Sequence, residues 1–157
     1  MSKKLVAYFS ASGVTGSVAR TLSDALSADL YEIAPAVPYT AEDLDWRNPD
    51  SRSSLEMKDT SSRPEIIDTP VNIADYNTIL LGFPIWWYIA PTIVNTFLEK
   101  HDFSGKKIIL FATSGSSGFG KTVDSLQASV PGAVIAEGML QRGKQDMEAW
   151  RSWAKGL

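Results

Sequence analysis

Hydrophobic runs alternate with helical periodicity along most of the chain. Apolar runs bounded by turn residues predict strands at 4–9, 29–33, 78–82, 107–112 and 133–136. Segments in which apolar residues recur about every 3.6 positions predict helices near 15–28, 91–100, 119–129 and 144–155. Strands this uniformly apolar are typical of a parallel sheet with helices on both faces. Because crossovers are right-handed, the pattern predicts an α/β three-layer sandwich with five parallel strands in the order 2-1-3-4-5.

Residues 35–77 interrupt this alternation. The segment is rich in proline, contains the polar run 51–54, and shows no sustained hydrophobic period. Long irregular connections are uncommon in compact domains and often have a role. We predict that this insertion covers one face of the sheet and includes a short helix around 41–46, with substrate recognition as the alternative.

Composition narrows the class of protein. A chain of 157 residues with 44% hydrophobic content is the size of one domain, spanning 1–157. The absence of cysteine excludes disulfides, thiolate metal sites and cysteine nucleophiles. A net charge of −3 argues against a nucleic-acid partner. Because every apolar run is too short for a signal peptide or a membrane span, we expect a soluble, cytoplasmic protein. The oligomeric state is left open.

The turn after the first strand, residues 10–16, combines hydroxyls and glycines with no acidic residue. Free N–H groups at the start of the following helix, together with the hydroxyls of Ser10, Ser12 and Thr15, suit a phosphate group. A Ser/Thr-rich helix cap is the equally weighted alternative.

The turn after the third strand carries large aromatic residues where polar ones are usual. Trp86, Trp87 and Tyr88 follow a buried strand directly. Aromatic rings at this position suit stacking on a flat ligand. We predict that one indole faces a ligand while the other packs within the protein. The alternatives are a role in the core or in a dimer contact.

The turn after the fourth strand, residues 115–122, matches the P-loop pattern G-x-x-x-x-G-K-[ST]. A nucleotide triphosphatase also needs an acidic residue at the end of another strand to hold Mg²⁺, and neither 82–83 nor 136–138 provides a convincing one. We therefore interpret this turn as a glycine-rich wall for a planar ligand and keep nucleotide binding as a minor alternative.

The three turns together describe a ligand with a phosphate at one end and a flat ring at the other, which fits flavin mononucleotide (FMN). Over its whole length the chain resembles flavodoxins and flavodoxin-like FMN oxidoreductases, most clearly in segments 8–15, 82–87 and 113–120. The resemblance implies contacts with the phosphate from Ser10, Ser12, Gly13, Val14 and Thr15. It implies contacts with the isoalloxazine ring from Pro84, Ile85, Trp86 and Trp87, and with the ring edge from Thr113, Ser114, Gly115 and Gly118.

Two departures from electron-carrier flavodoxins bear on function. Those proteins typically have a glycine in the ring-binding loop and are strongly acidic, whereas residues 84–91 lack glycine and the net charge is only −3. The insertion, including 39–46, resembles one found in a subgroup of small flavodoxin-like proteins. We expect an FMN-binding redox protein acting in electron transfer with a partner protein. The alternatives are an NAD(P)H-dependent quinone or flavin reductase and, behind it, a non-redox phosphate-binding domain.

FMN itself would supply the chemistry, so no catalytic side chain is predicted. His101, the sole histidine, follows a predicted helix and is expected to be a solvated or capping residue. The carboxylates near 42–50 have no metal-binding spacing and are expected to be solvated.

Overall fold

Parallel strands form a central sheet in the structure, a computed structural model that describes residues 3–157. The strands of the described chain are β1 (Lys3–Tyr8), β2 (Asp29–Glu32), β3 (Tyr76–Pro84), β4 (Lys107–Ser114) and β5 (Val134–Arg142). Their order is β2-β1-β3-β4-β5, and every neighbouring pair is parallel. The predicted fold class and strand order are therefore confirmed.

Helices cover both faces of this sheet. In chain order they are α1 (Val14–Leu26), α2 (Arg52–Lys58), α3 (Thr92–Glu99), α4 (Thr122–Gln127) and α5 (Met147–Lys155), with a 3₁₀ turn at Ile73–Asp75. Helices α1 and α5 pack on one face, and α3 and α4 pack on the other. No helix within residues 3–157 is both long enough and apolar enough to cross a membrane.

The side chains of the central strands β1, β3 and β4 alternate between two buried layers. Val6, Leu80 and Phe111 face the layer of α1 and α5, where the Phe111 ring meets the Trp150 ring edge-on at 6.0 Å between centroids. Gly82 lies under that phenyl ring, because a Cβ at this position would come within 2.1 Å of Phe111. A glycine is therefore required here for packing within the sheet.

The insertion contains a helix, but not where the sequence predicts it. Residues 41–46 form turns, and the helix is α2. Thr40 and Asp43 exchange side-chain to backbone hydrogen bonds of 3.0 and 3.1 Å, as at a helix start, and close a single turn. The helix does not continue, because the Asp45 and Asn48 side chains accept hydrogen bonds from the amides two residues on, and such local bonds compete with a helix. The polar run 51–54 is a helix start, since Ser51 accepts a hydrogen bond from the Ser54 amide.

The predicted fifth strand, 133–136, is too short. Strand β5 continues to Arg142 through a register shift opposite Leu110 and Ala112. Gly138 lies at this irregularity, and a Cβ there would come within 2.4 Å of the Leu110 carbonyl oxygen. The glycine marks a close approach within a strand rather than its end.

Part of the insertion is buried in the core on the side of α3. Ile66 and Ile73 are both buried there, and Pro35 pairs with Ile66 in an isolated antiparallel bridge. The segment from Tyr39 to Lys58 lies beside the carboxyl edge of the sheet. There it approaches the turn formed by residues 86–89, which we call the tryptophan turn.

Candidate functional site

The three predicted loops meet at the carboxyl edge of the sheet. They follow β1, β3 and β4, and the strand order reverses between β1 and β3. In open parallel sheets this switch point is where ligands bind, because neighbouring loops diverge there and leave a crevice.

The first loop presents the start of α1. Gly13 is the N-cap residue with a left-handed φ of 94°, and no side chain of the described residues caps the helix. The Gly13 amide donates to Ser10 Oγ at 3.1 Å. The amides of Val14 and Thr15 lie in the first turn, where no intrahelical acceptor exists. The Ser/Thr cap considered from the sequence is absent from residues 3–157, which leaves this helix start free for an anion.

Thr15 joins the first loop to the third. Its side chain is only 2% exposed, and its hydroxyl lies 2.8 Å from the Thr113 hydroxyl at the end of β4. Ser12 and Val14 are exposed beside it, and Ser10 is half-buried. The structure thus places the predicted phosphate residues around one helix start, with Thr15 facing inward.

Ser114, the last residue of β4, carries an unpaired polar atom. Its Oγ is buried and has no hydrogen-bond partner within residues 3–157. A buried hydroxyl without a partner destabilises a protein by about 1–3 kcal/mol, so such groups often mark a ligand contact. A polar ligand atom at this position would supply the missing partner.

A cavity of about 340 Å³ lies between the second and third loops, and the unpaired Ser114 is in its wall. Its size lies within the range of about 300–1,000 Å³ typical of small-molecule sites. The lining residues are Leu44, Trp46, Ser53, Ile85, Trp86, Trp87, Tyr88, Ser114, Gly115, Ser116 and Ser117. We call this space the ring cavity.

Five of the predicted ring-binding residues line the ring cavity: Ile85, Trp86, Trp87, Ser114 and Gly115. Thr113 is outside the lining but directly precedes Ser114, and its hydroxyl is hydrogen-bonded to the Thr15 hydroxyl.

Pro84 and Gly118 are not in the lining, although both lie on its loops. Gly118 approaches Arg142 instead, and a Cβ there would come within 3.2 Å of the guanidinium. Which of these residues contact a ligand stays a prediction.

The insertion also contributes to the ring cavity, which the sequence did not indicate. The ring cavity is lined in part by Leu44, Trp46 and Ser53, which belong to the insertion and are distant in sequence from the three loops. The only available signal was Trp46, a large aromatic residue in an otherwise polar segment. Nothing in a segment without periodicity indicates which edge of the sheet it reaches.

The tryptophan turn has an unusual backbone. The Trp86 and Ile89 amides donate to each other's carbonyl oxygens at 3.0 and 3.3 Å, which closes a turn with Trp87 and Tyr88 at its centre. These two have φ values of 51° and 65°, in the left-handed region that hairpin turns usually fill with Asn-Gly. Each non-glycine residue in this conformation lowers the stability of the fold by about 1–2 kcal/mol. Such backbone strain is concentrated at functional sites.

The third loop holds the tryptophan turn in place. The Tyr88 carbonyl accepts a hydrogen bond of 3.2 Å from the Lys121 amide. Gly120 has a φ of 54°, and a Cβ there would come within 2.4 Å of the Tyr88 carbonyl oxygen. The second and third loops are therefore packed backbone against backbone, and the glycine is what permits this contact.

The two tryptophans have different environments. Trp86 packs edge-on against Phe9 and Tyr39, at 5.8 and 5.6 Å between ring centroids. Trp87 is 43% exposed at the mouth of the ring cavity. Trp86 is thus the more enclosed indole and Trp87 the more exposed one, although both line the ring cavity, and which of them stacks on a ligand stays a prediction.

Tyr39 anchors the insertion against Trp86. Its hydroxyl donates to the Glu56 carboxylate, and the Arg52 guanidinium lies 3.7 Å from its ring centroid. Burial, followed by the hydrogen bond to Glu56, raises the pKa of Tyr39 well above its ordinary value. The phenol therefore stays neutral and acts as a donor, which fixes α2 relative to the tryptophan turn.

The P-loop match at 115–122 does not have the geometry of a nucleotide site. The Thr122 side chain is fully buried, and its hydroxyl donates to the Phe119 carbonyl oxygen. The threonine hydroxyl that would bind Mg²⁺ in a P-loop is therefore committed to the backbone. The structure supports the interpretation of this turn as a wall of the ring cavity.

His101 lies away from these loops, beside the amino ends of the strands. Its ring packs against Phe97 at 5.2 Å and faces Phe103 at 6.3 Å between centroids. Burial is the main cause that lowers the pKa of His101. The residue is half-buried, so it combines this aromatic packing with partial exposure to solvent.

The family of the chain follows from comparison with known proteins. The family model described as flavodoxin matches residues 3–157. The chain therefore belongs to the flavodoxin family, as its resemblance indicated.

Solved structures agree with this assignment. The chain is 47% identical to a Bacteroides eggerthii protein provisionally named a flavoprotein, covering 99% of this chain and 98% of that one with a TM-score of 0.89. A flavoprotein from Lactobacillus acidophilus, solved in complex with FMN, is 20% identical and has a TM-score of 0.69 over 96% of this chain and 99% of that one. At that identity the second similarity shows the shared fold only.

A curated relative matches part of the chain. The uncharacterized NAD(P)H oxidoreductase YcaK of Escherichia coli strain K12 is 29% identical over 73 residues. The match covers 46% of this chain and only 33% of that relative.

Proposed function

We propose that this flavodoxin-family chain is a redox protein that binds FMN at the carboxyl edge of its sheet and acts in electron transfer as one domain. The observation that carries the proposal is the buried, unpartnered Ser114 hydroxyl in the wall of the ring cavity. A flavin ring edge carries carbonyl and ring-nitrogen groups that would satisfy such a hydroxyl.

The phosphate end of FMN would lie at the start of α1. The amides of Val14 and Thr15 and the hydroxyls of Ser10 and Ser12 lie at or beside this helix start, and the first turn contains no acidic residue. Thr15 positions this loop through its bond to Thr113, and it holds the phosphate site at a fixed distance from the ring cavity.

The ring end would lie against Trp87, with Ile85 and Gly115 as further walls. FMN, when bound, supplies the uptake and release of electrons. The residues of this chain bind the ring, orient its edge toward Ser114 and cover one side with the insertion. Trp86, half-buried against Phe9 and Tyr39, precedes Trp87 in the same turn.

A reductase that takes electrons from NAD(P)H and passes them to a quinone or free flavin is the second candidate. Two observations favour it over a dedicated carrier: the ring-binding turn has no glycine, and the partial E. coli relative is named as an NAD(P)H oxidoreductase. Under the main proposal the partner is a redox protein instead.

The absorption spectrum of the purified, FMN-reconstituted protein tests flavin binding. We expect flavin bands that remain after gel filtration; a colourless protein after reconstitution contradicts the proposal. Steady NADPH oxidation on adding a quinone supports the reductase. No turnover unless a separate reductase is added supports the carrier.

A further inference from the structure

A second cavity adjoins the ring cavity. It has a volume of about 360 Å³ and lies between the insertion and the tryptophan turn. Trp46 and Trp87 line both spaces, so an occupant of the second cavity would lie next to the flavin ring. The phosphate and ring contacts proposed above involve none of its remaining walls.

Two tryptophans contribute to the lining of the second cavity. Trp46 comes from the insertion and is 68% exposed, and Trp87 comes from the strained turn. Two exposed indoles from segments distant in sequence form an apolar surface that suits an aromatic ring. Met57, with its flexible thioether, adds an adaptable apolar contact.

The cavity is also lined by two cationic side chains. Arg47 and Lys58 line it, and its lining contains no carboxylate among the described residues. The Arg47 guanidinium lies 5.6 Å from the Trp46 ring centroid. Asp45 contacts Arg47 at 4.0 Å, but this pair is largely exposed and therefore weak in water. Lys58 Nζ donates to the Pro49 carbonyl oxygen at 2.9 Å, and both residues line the cavity.

We propose that the second cavity binds a planar aromatic anion, a carboxylate or sulfonate on a fused ring, next to the flavin site. Two indoles and two cations in one lining match the ring and the charged group of such a molecule. The inference rests on the proposed function, because the occupant lies beside a flavin only when the ring cavity holds one.

Calorimetric titration of the FMN-loaded protein with naphthalene-2-carboxylate tests this inference, with 2-naphthalenemethanol as the uncharged probe. We expect one carboxylate per chain and weaker binding of the alcohol. Arg47→Gln should raise the Kd of the carboxylate about fivefold, the upper range for an exposed charge pair, and leave that of the alcohol unchanged. Arg151→Gln is the matched control, because Arg151 is also exposed and paired with a carboxylate, Glu148, but lies on α5.

Trp46 gives a second, independent readout. Trp46→Ala should weaken both probes about tenfold, as loss of an aromatic stacking surface does, while Trp46→Phe should keep most of the affinity. Equal affinity for the carboxylate in wild type and Arg47→Gln overturns the inference. So does displacement of FMN by the probe, since this places it in the ring cavity. Protein that never loads FMN contradicts the proposed function, whereas loaded protein that binds no carboxylate contradicts this inference alone.

Discussion

Replacing Ser114 by alanine should change stability and ligand affinity in opposite directions. The Ser114 Oγ is buried without a partner within residues 3–157, whereas the neighbouring Thr113 hydroxyl is paired with Thr15 at 2.8 Å. An unpaired buried hydroxyl lowers stability by about 1–3 kcal/mol, and the small void left by its removal cancels part of the gain. We expect Ser114→Ala to raise the free energy of unfolding of the FMN-free protein by about 1 kcal/mol.

The assay compares thermal unfolding with and without FMN. A change of about 1 kcal/mol corresponds to about 2–4 °C in Tm for a chain of this size. Ser114→Ala should melt higher without FMN and bind FMN about three- to tenfold more weakly, because one hydrogen bond to the ligand is lost. Thr113→Val is the comparison: it leaves the buried Thr15 hydroxyl unpaired and should lower stability by about 1–3 kcal/mol.

Two results would refute this reasoning. If Ser114→Ala melts lower than wild type without FMN, the hydroxyl has a partner in solution and is not held ready for a ligand. If the Kd for FMN is unchanged, the hydroxyl does not contact the flavin, and the ring lies elsewhere.

The remaining predictions concern the loops around the cavity. Gly120→Ala should lower the free energy of unfolding, measured by chemical denaturation, by about 1–3 kcal/mol more than Gly105→Ala does. Both glycines have a positive φ, but only Gly120 has a neighbour where the Cβ would lie, so equal losses would contradict the contact between the loops. Thr15→Ala should weaken binding of FMN more than that of riboflavin, which lacks the phosphate, and equal losses would mean that the first loop has another role. Trp87→Ala should restore the fluorescence of bound flavin while Trp86→Ala should mainly lower Tm, and the reverse pattern would exchange their roles.

The fold was predictable because its signals are local and repeated. Near-continuous apolar strands such as 79–81 and 108–111 can be buried on both faces only in a covered parallel sheet, and the structure buries them there. The switch point then determined where the three loops meet. The predicted end of the fifth strand was wrong because a glycine can indicate either a turn or a close approach of two backbones. Gly138 lies inside β5 and permits such a close approach.

The site was only partly predictable. The hydroxyls of 10–15 and the indoles of Trp86 and Trp87 are chemical signals that the sequence displays directly. The position of Trp46 depends instead on how the insertion folds back, fixed by Tyr39 and its contacts with Arg52 and Glu56. That is a tertiary arrangement with no periodic signal.

The backbone of the tryptophan turn was also hidden. A turn with two positive φ values is normally indicated by asparagine and glycine, and residues 84–91 contain neither. The conformation is imposed by the third loop through the Tyr88 carbonyl and Gly120. The residue types of this turn therefore disfavour the positive φ values that its contact with the third loop stabilises.

Fluorescence titration of the FMN-free protein with FMN tests whether the ring cavity holds a flavin. We expect flavin emission to be quenched as the ring packs against Trp87, and quenching to saturate at one FMN per chain. Unchanged flavin emission at protein concentrations in excess of FMN would contradict it.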